Sequence, residues 1–229
     1  MKPEAFLQGV SFFQSLGHDD RESLATSLKS RSLKKGEALF RKGDEGTSLY
    51  IVKTGSVKIV LPSEMGDEVA AAILSEGDFF GEMSLLDGMP RSADVVALES
   101  SELLALNQRD FLAFLRGNEG AIQAILSYLS MRLRRTDELL EDAYFLNIST
   151  RFARRLVELA QRHGRRKMEG EPIEIDLRLT QKDLASIVGT TRESINKELR
   201  VLREKGLVTT EGNTLQILDL KRLEKRARL

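Results

Sequence analysis

The chain has 229 residues, with 35 Lys+Arg against 35 Asp+Glu and no Cys, so its formal net charge is zero. That length allows one or two domains with real cores. The absence of Cys excludes disulfides, thiolate zinc sites and cysteine-ligated iron–sulfur clusters. No stretch approaches about 18 apolar residues and no apolar run follows a basic N-terminal segment, so neither a membrane span nor a signal peptide is expected, and a cytoplasmic protein is. The zero hides a division. Residues 147–229 carry 19 Lys+Arg against 12 Asp+Glu, net +7, while 1–146 carry 16 against 23, net −7. A basic C-terminal part suits contact with phosphates; the acidic remainder does not.

Residues 1–30 read as a short helical lead-in. From about 31 to 107 the chain reads as strands and turns, with eight glycines between 36 and 88. Leu49–Val52 and Ser56–Leu61 are β-rich runs. Thr54-Gly55 between them reads as a hairpin turn, with Val57, Ile59 and Leu61 alternating with Lys58 and Val60. Short, evenly spaced strands imply a sandwich or barrel. The segment KKGEALFRKGDEGTSLYIVKTGSVKIV (34–60) resembles the β-roll of cyclic-nucleotide-binding domains.

Within this region FGEMSLLDGMPRSADV (80–95) combines groups suited to a cyclic phosphate. Backbone N–H groups at a helix start attract an anion. Arg91 supplies a charged donor fork, and the Ser92 hydroxyl can donate to a phosphate oxygen. Glu82 can accept a hydrogen bond from a ribose hydroxyl, and Gly81 lets the backbone come close. An ordinary turn with a surface Glu–Arg pair is the plainer alternative. The combination resembles the phosphate-binding cassette of cyclic-nucleotide-binding domains.

From Gln108 to about Leu146 the period becomes helical. Ile122, Ile125, Leu129, Arg132, Thr136, Leu139, Ala143 and Leu146 fall on alternating steps of three and four, a heptad seam with two polar members. Two readings are open: a helix packed on its own β-domain, or one that pairs with a second chain. Asn147 to about Gln161 reads as another helix, with Phe152, Leu156 and Leu159 on one face. HGRRKMEGEP (163–172) reads as a polar loop.

Residues 180–202, TQKDLASIVGTTRESINKELRVL, form two amphipathic halves around Gly189, with Leu184, Ile187, Val188, Ile195, Leu199 and Leu202 apolar. Thr180 and Asp183 read as a capping pair. The pattern predicts a helix-turn-helix whose second helix can enter a DNA major groove, with Arg192, Glu193, Asn196 and Lys197 outward. Glu193 has a competing role, capping that helix with Thr190. Residues 206–218 resemble a β-hairpin wing with a Glu211–Asn213 turn. The tail KRLEKRARL (221–229) is basic, reads as helical and has no assigned role.

The order Thr180, Asp183, Leu184, Ala185, Ile187, Val188, Gly189, Thr191, Arg192, Glu193, Ser194 and Ile195 closely resembles the DNA-reading segment of the cyclic-AMP receptor protein (catabolite activator)/fumarate-nitrate regulator family. The resemblance implies an α+β chain: an N-terminal cyclic-nucleotide-binding β-roll of jelly-roll type (1–107), a long dimerisation helix (108–146) and a C-terminal winged helix-turn-helix (147–229). It implies ligand contacts by Gly81, Glu82, Arg91 and Ser92, with Thr136 and, from the second subunit, Asp137 meeting the base; Arg132 is placed to line the pocket. The family has Ser where this chain has Asp137. An acceptor-only side chain suits the adenine amino group or the guanine N1–H and N2–H, so cyclic AMP and cyclic GMP both remain open. The implied partners of the homodimer are double-stranded DNA, read by Thr180, Thr191, Arg192, Glu193, Asn196 and Lys197, and RNA polymerase. No metal, haem or cluster is implied: His18 lies in the lead-in and His163 in the polar loop. The expected function is ligand-gated transcription regulation on a palindromic site. A regulator of the same fold that uses no cyclic nucleotide is the alternative, and an enzyme is not expected.

Overall fold

The computed structural model describes residues 3–10, 13, 17–166, 168, 171–211 and 214–228, with side chains from Phe6 onward. The chain divides into two units, Met1–Gly66 with Ala71–Thr136, and Asp137–Leu229 with Asp67–Ala70.

The first unit begins with α1 (Pro3–Gly9) and α2 (His18–Ser27). Two four-stranded sheets follow. One runs β1 (Lys29–Leu33), β8 (Ser101–Asn107), β3 (Ser48–Thr54), β6 (Phe79–Phe80). The other runs β2 (Ala38–Phe40), β7 (Asp94–Ala97), β4 (Val57–Pro62), β5 (Glu68–Leu74). The period of two along β3 places its side chains in two different cores. Leu49 and Ile51 join Phe6, Leu24 and Phe111 in a core between the sheet and the helices. Tyr50 and Val52 turn the other way, to a core shared by both sheets that includes Leu33, Ile59, Phe80 and Val95. Burying each such side chain contributes about 1.5–3 kcal/mol, so this alternation is what holds the sandwich together.

Two expectations for this region are corrected. Thr54-Gly55 is a turn but not a hairpin, because β3 and β4 belong to different sheets. Gly55 has φ +83°, and a Cβ there would lie 2.4 Å from the Ser101 hydroxyl oxygen, so the chain crosses between sheets in a space only glycine fits. Nor does β4 alternate: Val57, Lys58, Ile59 and Val60 are all buried and Leu61 is exposed. Both faces of this strand are covered over its first four residues.

The helical stretch from Gln108 is two helices, α4 (Gln108–Gly117) and α5 (Glu119–Phe145). Asn118 between them is extended (φ −141°, ψ 102°), and its Oδ1 accepts from the Ala121 N–H at 2.9 Å, restarting the helix. Along α5 the seam expected from the sequence is rotated. Ile125 is buried against the β-domain, and Tyr128 donates from its hydroxyl to the Phe79 carbonyl at 2.7 Å. Ile122, Leu126, Leu133, Leu140 and Tyr144 are exposed along one line, with Leu129 half-buried among them, at steps of three, four and seven; Met131 and Phe145 are exposed on other faces. One face of the helix packs on the chain's own β-domain, and the adjacent face carries exposed apolar side chains. The physical reason is width: an apolar stripe broader than a two-position seam serves the chain's own core on one edge.

In the second unit, α6 (Ile148–His163) starts at Asn147, whose side chain accepts from the Thr150 N–H at 2.9 Å. It packs with α7 (Gln181–Val188), α8 (Arg192–Glu204) and α9 (Leu220–Arg226) against the sheet β11 (Val208–Glu211), β12 (Thr214–Ile217), β10 (Ile173–Ile175), β9 (Gly164–Arg165). The wing is present as β11–β12; Gly212 and Asn213 of its expected turn, and Lys167, Glu169 and Gly170 of the polar stretch, lie outside the described residues. His163 closes α6 instead of lying in a loop, its carbonyl accepting from the Asp176 N–H at 2.8 Å. The basic tail is part of the core: Leu223 is fully buried and Ala227 nearly so.

Near the end of α5, Asp142 is buried and takes one guanidinium from α6 on each oxygen, Arg154 and Arg155, the latter at 2.5 Å. Arg155 also donates to both oxygens of Glu158, at 2.7 and 2.8 Å. No helix of the described residues is long and apolar enough to cross a membrane.

Candidate functional site

A cavity in the first unit is lined by Phe80, Gly81, Glu82, Arg91, Ser92 and Arg132, among others. Its floor is built where β6 ends. Gly81 has φ +84°, a conformation that turns the chain sharply and that other residues rarely adopt. Glu82 then precedes α3 (Met83–Asp87), which stops at Gly88 in the left-handed conformation, φ 71°. The return segment carries Arg91 and Ser92 back to β7. It is fastened to the loop before β3 by paired backbone bonds, Gly43 N–H to Arg91 O and Arg91 N–H to Asp44 O, both 2.8 Å.

Arg91 is buried and held by three groups. Its Nη1 donates to the Gly81 carbonyl at 2.7 Å, its Nη2 to the Ser48 carbonyl at 2.6 Å, and its guanidinium lies 4.2 Å from the centre of the Phe40 ring. Its Nε, also buried, has no hydrogen-bond partner. Burial lowers the Arg91 pKa, and Tyr50, Glu82 and Asp44 oppose that shift. Glu82 is fully buried; its Oε1 accepts from Arg132 Nη1 of α5 at 2.5 Å, and its Oε2 accepts from nothing. Burial pushes the Glu82 carboxyl up, and Arg132, then Arg91, pull it back. Two oppositely charged buried groups thus each keep one unused polar atom beside the same cavity. Buried polar atoms are normally paired, so this arrangement fits a ligand that brings both a hydroxyl donor and an anionic acceptor.

The expected ligand residues separate into two sets. Gly81, Glu82, Arg91, Ser92 and Arg132 line the cavity. Ser92 is exposed, with its hydroxyl 3.8 Å from the Met83 sulfur. Thr136 and Asp137 are exposed on α5 and do not line it; the Thr136 hydroxyl donates to the Arg132 carbonyl at 3.0 Å. Gly46 and Phe40 escaped the sequence reading. A Cβ on Gly46 would stand 2.4 Å from the Ser84 Cβ and 3.1 Å from the Arg91 Cζ, so glycine lets the loop close on the site. The run of glycines between 36 and 46 was the available signal, but it did not say which one packs against Arg91.

In the second unit, α7 and α8 form the expected helix-turn-helix. Thr180 and Asp183 make a reciprocal capping box, with bonds of 2.9 Å from the Thr180 N–H and 3.1 Å from the Asp183 N–H. Gly189 ends α7 at φ 68°. Thr191, not Thr190 with Glu193, caps α8, accepting from the Ser194 N–H at 3.2 Å, which leaves Glu193 outward. The Thr180 and Thr191 hydroxyls donate to Asp183 and Ser194 respectively. Ile195, Leu199 and Leu202 are buried, while Arg192, Glu193, Asn196 and Lys197 are exposed. Arg192 Nε donates to Gln181 Oε1 at 3.1 Å, spanning the two helices.

Comparison with known proteins agrees with both halves. Residues 30–118 match the cyclic nucleotide-binding domain model, and residues 150–226 match the Crp-like helix-turn-helix domain model. The chain is 30% identical over 225 residues to the CRP-like cAMP-activated global transcriptional regulator of Mycobacterium tuberculosis, covering 98% of this chain and 100% of that one. It is 32% identical to the cyclic AMP receptor protein of Thermus thermophilus, covering 95% of this chain and 97% of that one. In fold it is similar to the c-di-GMP responsive global regulator CLP of Xanthomonas campestris, with a TM-score of 0.77, 24% identity, and coverage of 89% of this chain and all of that one. The two sequence relatives match over nearly the whole length of both chains. On that ground the chain belongs to the cyclic-AMP receptor protein/fumarate-nitrate regulator family, a family of transcription regulators and not of enzymes.

Proposed function

We propose that this regulator is gated by a cyclic nucleotide and acts as a homodimer on an inverted-repeat DNA site. The observation that carries the reading is the pair of unused buried atoms, Glu82 Oε2 and Arg91 Nε, beside one cavity. A ribose hydroxyl would donate to the first, and a cyclic phosphate would accept from the second, with Ser92 turning its hydroxyl from Met83 to the same phosphate. The exposed stripe Ile122, Leu126, Leu133 and Leu140 supports pairing with a second copy, which would cover it. Arg192, Glu193, Asn196 and Lys197 supply the donors and the acceptor for base edges. The ligand gates DNA binding only by favouring one of two arrangements; tight binding alone shifts nothing.

The relatives differ in effector. The Mycobacterium protein is named as cAMP-activated and the Xanthomonas protein as c-di-GMP responsive. Here Asp137 is the acceptor assigned to the base. Titration calorimetry of the purified chain with cyclic AMP and with cyclic GMP tests the reading, followed by DNA binding with and without the tighter ligand. Binding of at least one, together with a rise in DNA affinity, supports gating; no heat from either sinks it. Asp137→Ser should shift preference toward cyclic AMP, and an unchanged affinity ratio would mean that Asp137 does not face the base.

A further inference from the structure

We propose that the C-terminal helix α9 is a second DNA-contacting element, its basic face gripping phosphates beside the recognition helix α8. The proposal rests on the DNA-binding reading above and extends the contact beyond the helix-turn-helix.

Three observations lead there. First, α9 is anchored in the DNA-reading unit. Leu223 is fully buried, and Arg226 bonds to Ser149 at the start of α6 and lies 3.5 Å from Glu198 of α8. Second, α9 flanks α8 on the side away from the wing. At about 100° per residue, Glu198 and Arg203 lie about 140° apart around α8, on either side of the buried Ile195–Leu199–Leu202 stripe. Arg203 reaches the wing through Thr210 at 2.5 Å, and Glu198 reaches α9. A helix filling the major groove, about 12 Å wide, has a phosphate ridge along each edge, and the elements on its flanks are those placed over the ridges. Third, the outer face of α9 is positive. Lys221 and Lys225, one turn apart, share a face, Arg228 in the turn just after the helix follows three residues later, and all are exposed. Exposed Arg222 stands beside them, 3.9 Å from Asp219, and the single carboxylate inside α9, Glu224, is half-buried. A group of cations on a helix that is anchored by its other face fits a polyanionic ridge. It carries no arrangement of acceptors for reading bases, so the contact adds affinity without sequence preference.

The test compares the full-length wild type with Lys221→Ala/Lys225→Ala/Arg228→Ala on a random-sequence duplex and on a site selected with the wild type, across a salt series. Alanine favours the helix, and circular dichroism and thermal unfolding confirm the fold. The slope of log affinity against log salt should become shallower by about 0.9 for each phosphate contact removed. The loss should be equal on both duplexes, and the selected motif unchanged. Lys221→Arg/Lys225→Arg/Arg228→Lys keeps the charges and should keep the slope. An unchanged slope in a folded alanine variant overturns the proposal, and so does a changed motif, which would make α9 a base reader. A wild type that selects no motif would sink the sequence-specific reading, while the slopes on random duplex would still decide the role of α9.

Discussion

Replacing Arg91 by Ala separates the two jobs this residue holds. In the folded chain it bonds to the Gly81 and Ser48 carbonyls, at 2.7 and 2.6 Å, and covers Phe40. Leaving two such acceptors unsatisfied costs about 1–3 kcal/mol each where water cannot reach them. The removed guanidinium leaves room for water next to an open cavity, and its own burial was unfavourable, so the low end applies: about 2 kcal/mol in all. That is a fraction of the about 5–15 kcal/mol that holds a domain folded, so the variant should fold, with a midpoint lower by about 4–8 °C. The ligand suffers by a similar amount. Losing a charge-assisted phosphate contact costs about 1.5–3 kcal/mol, or about 10- to 150-fold in Kd. Denaturant unfolding and calorimetric titration of one preparation read both numbers. Arg91→Lys should fall between, since an ammonium on a flexible stem cannot hold both carbonyls as the fork does. Wild-type affinity for cyclic AMP and cyclic GMP in a folded Arg91→Ala protein would refute the argument.

Glu82→Gln should change how stability depends on pH. Burial raises the folded carboxyl above its ordinary value of 4.5, so the folded chain binds more protons there than the unfolded chain, and stability from this group falls as pH rises from about 4.5 through the folded value. The variant loses that decline, so its stability relative to wild type should improve with pH; parallel denaturation curves from pH 4 to 8 would contradict the assignment. Asp142→Ala strips both α6 arginines of their shared partner and leaves Arg155 buried, for an expected loss of about 3–5 kcal/mol. Chemical unfolding measures it, and a loss below about 1 kcal/mol would mean that Glu158 alone satisfies Arg155. Arg192→Ala should cost about 1–3 kcal/mol of DNA affinity and relax preference at one guanine of the selected half-site. Recovery of the same motif by both proteins in a selection from random DNA would reduce Arg192 to a backbone contact.

Much of this molecule is legible in its sequence because its motifs are local. The cap at Thr180, the turn at Gly189 and the 81–92 cassette each use residues close in the chain whose chemistry determines a short piece of backbone. The misses involve partners far apart. Gly46 matters because Ser84 and Arg91 come against it, and nothing near Gly46 in sequence says so. The same holds for Asp142 with Arg155, and for the tail, whose Leu223 is buried while its helix packs on α6, 60 or more positions earlier. The Thr54-Gly55 turn was read correctly as a turn, yet which sheet the next strand joins is decided by long-range packing. On α5, periodicity locates an apolar stripe but not the split between the edge that packs on the β-domain, at Ile125, and the edge left exposed, at Leu126 and Leu133.

That split has a mechanical meaning. Arg132, which holds Glu82, and Leu133, which is exposed, are consecutive residues about 100° apart on one rigid rod. A twist of α5 by 20° would carry a point on its outer surface, about 5–6 Å from the axis, through about 2 Å. That is enough to open the Glu82–Arg132 bond, and it would turn the line of Ile122, Leu126 and Leu133 by the same angle. Neither face can be adjusted alone. A substitution that reshapes the apolar line therefore strains the carboxylate grip, and one that weakens the grip frees the line to turn.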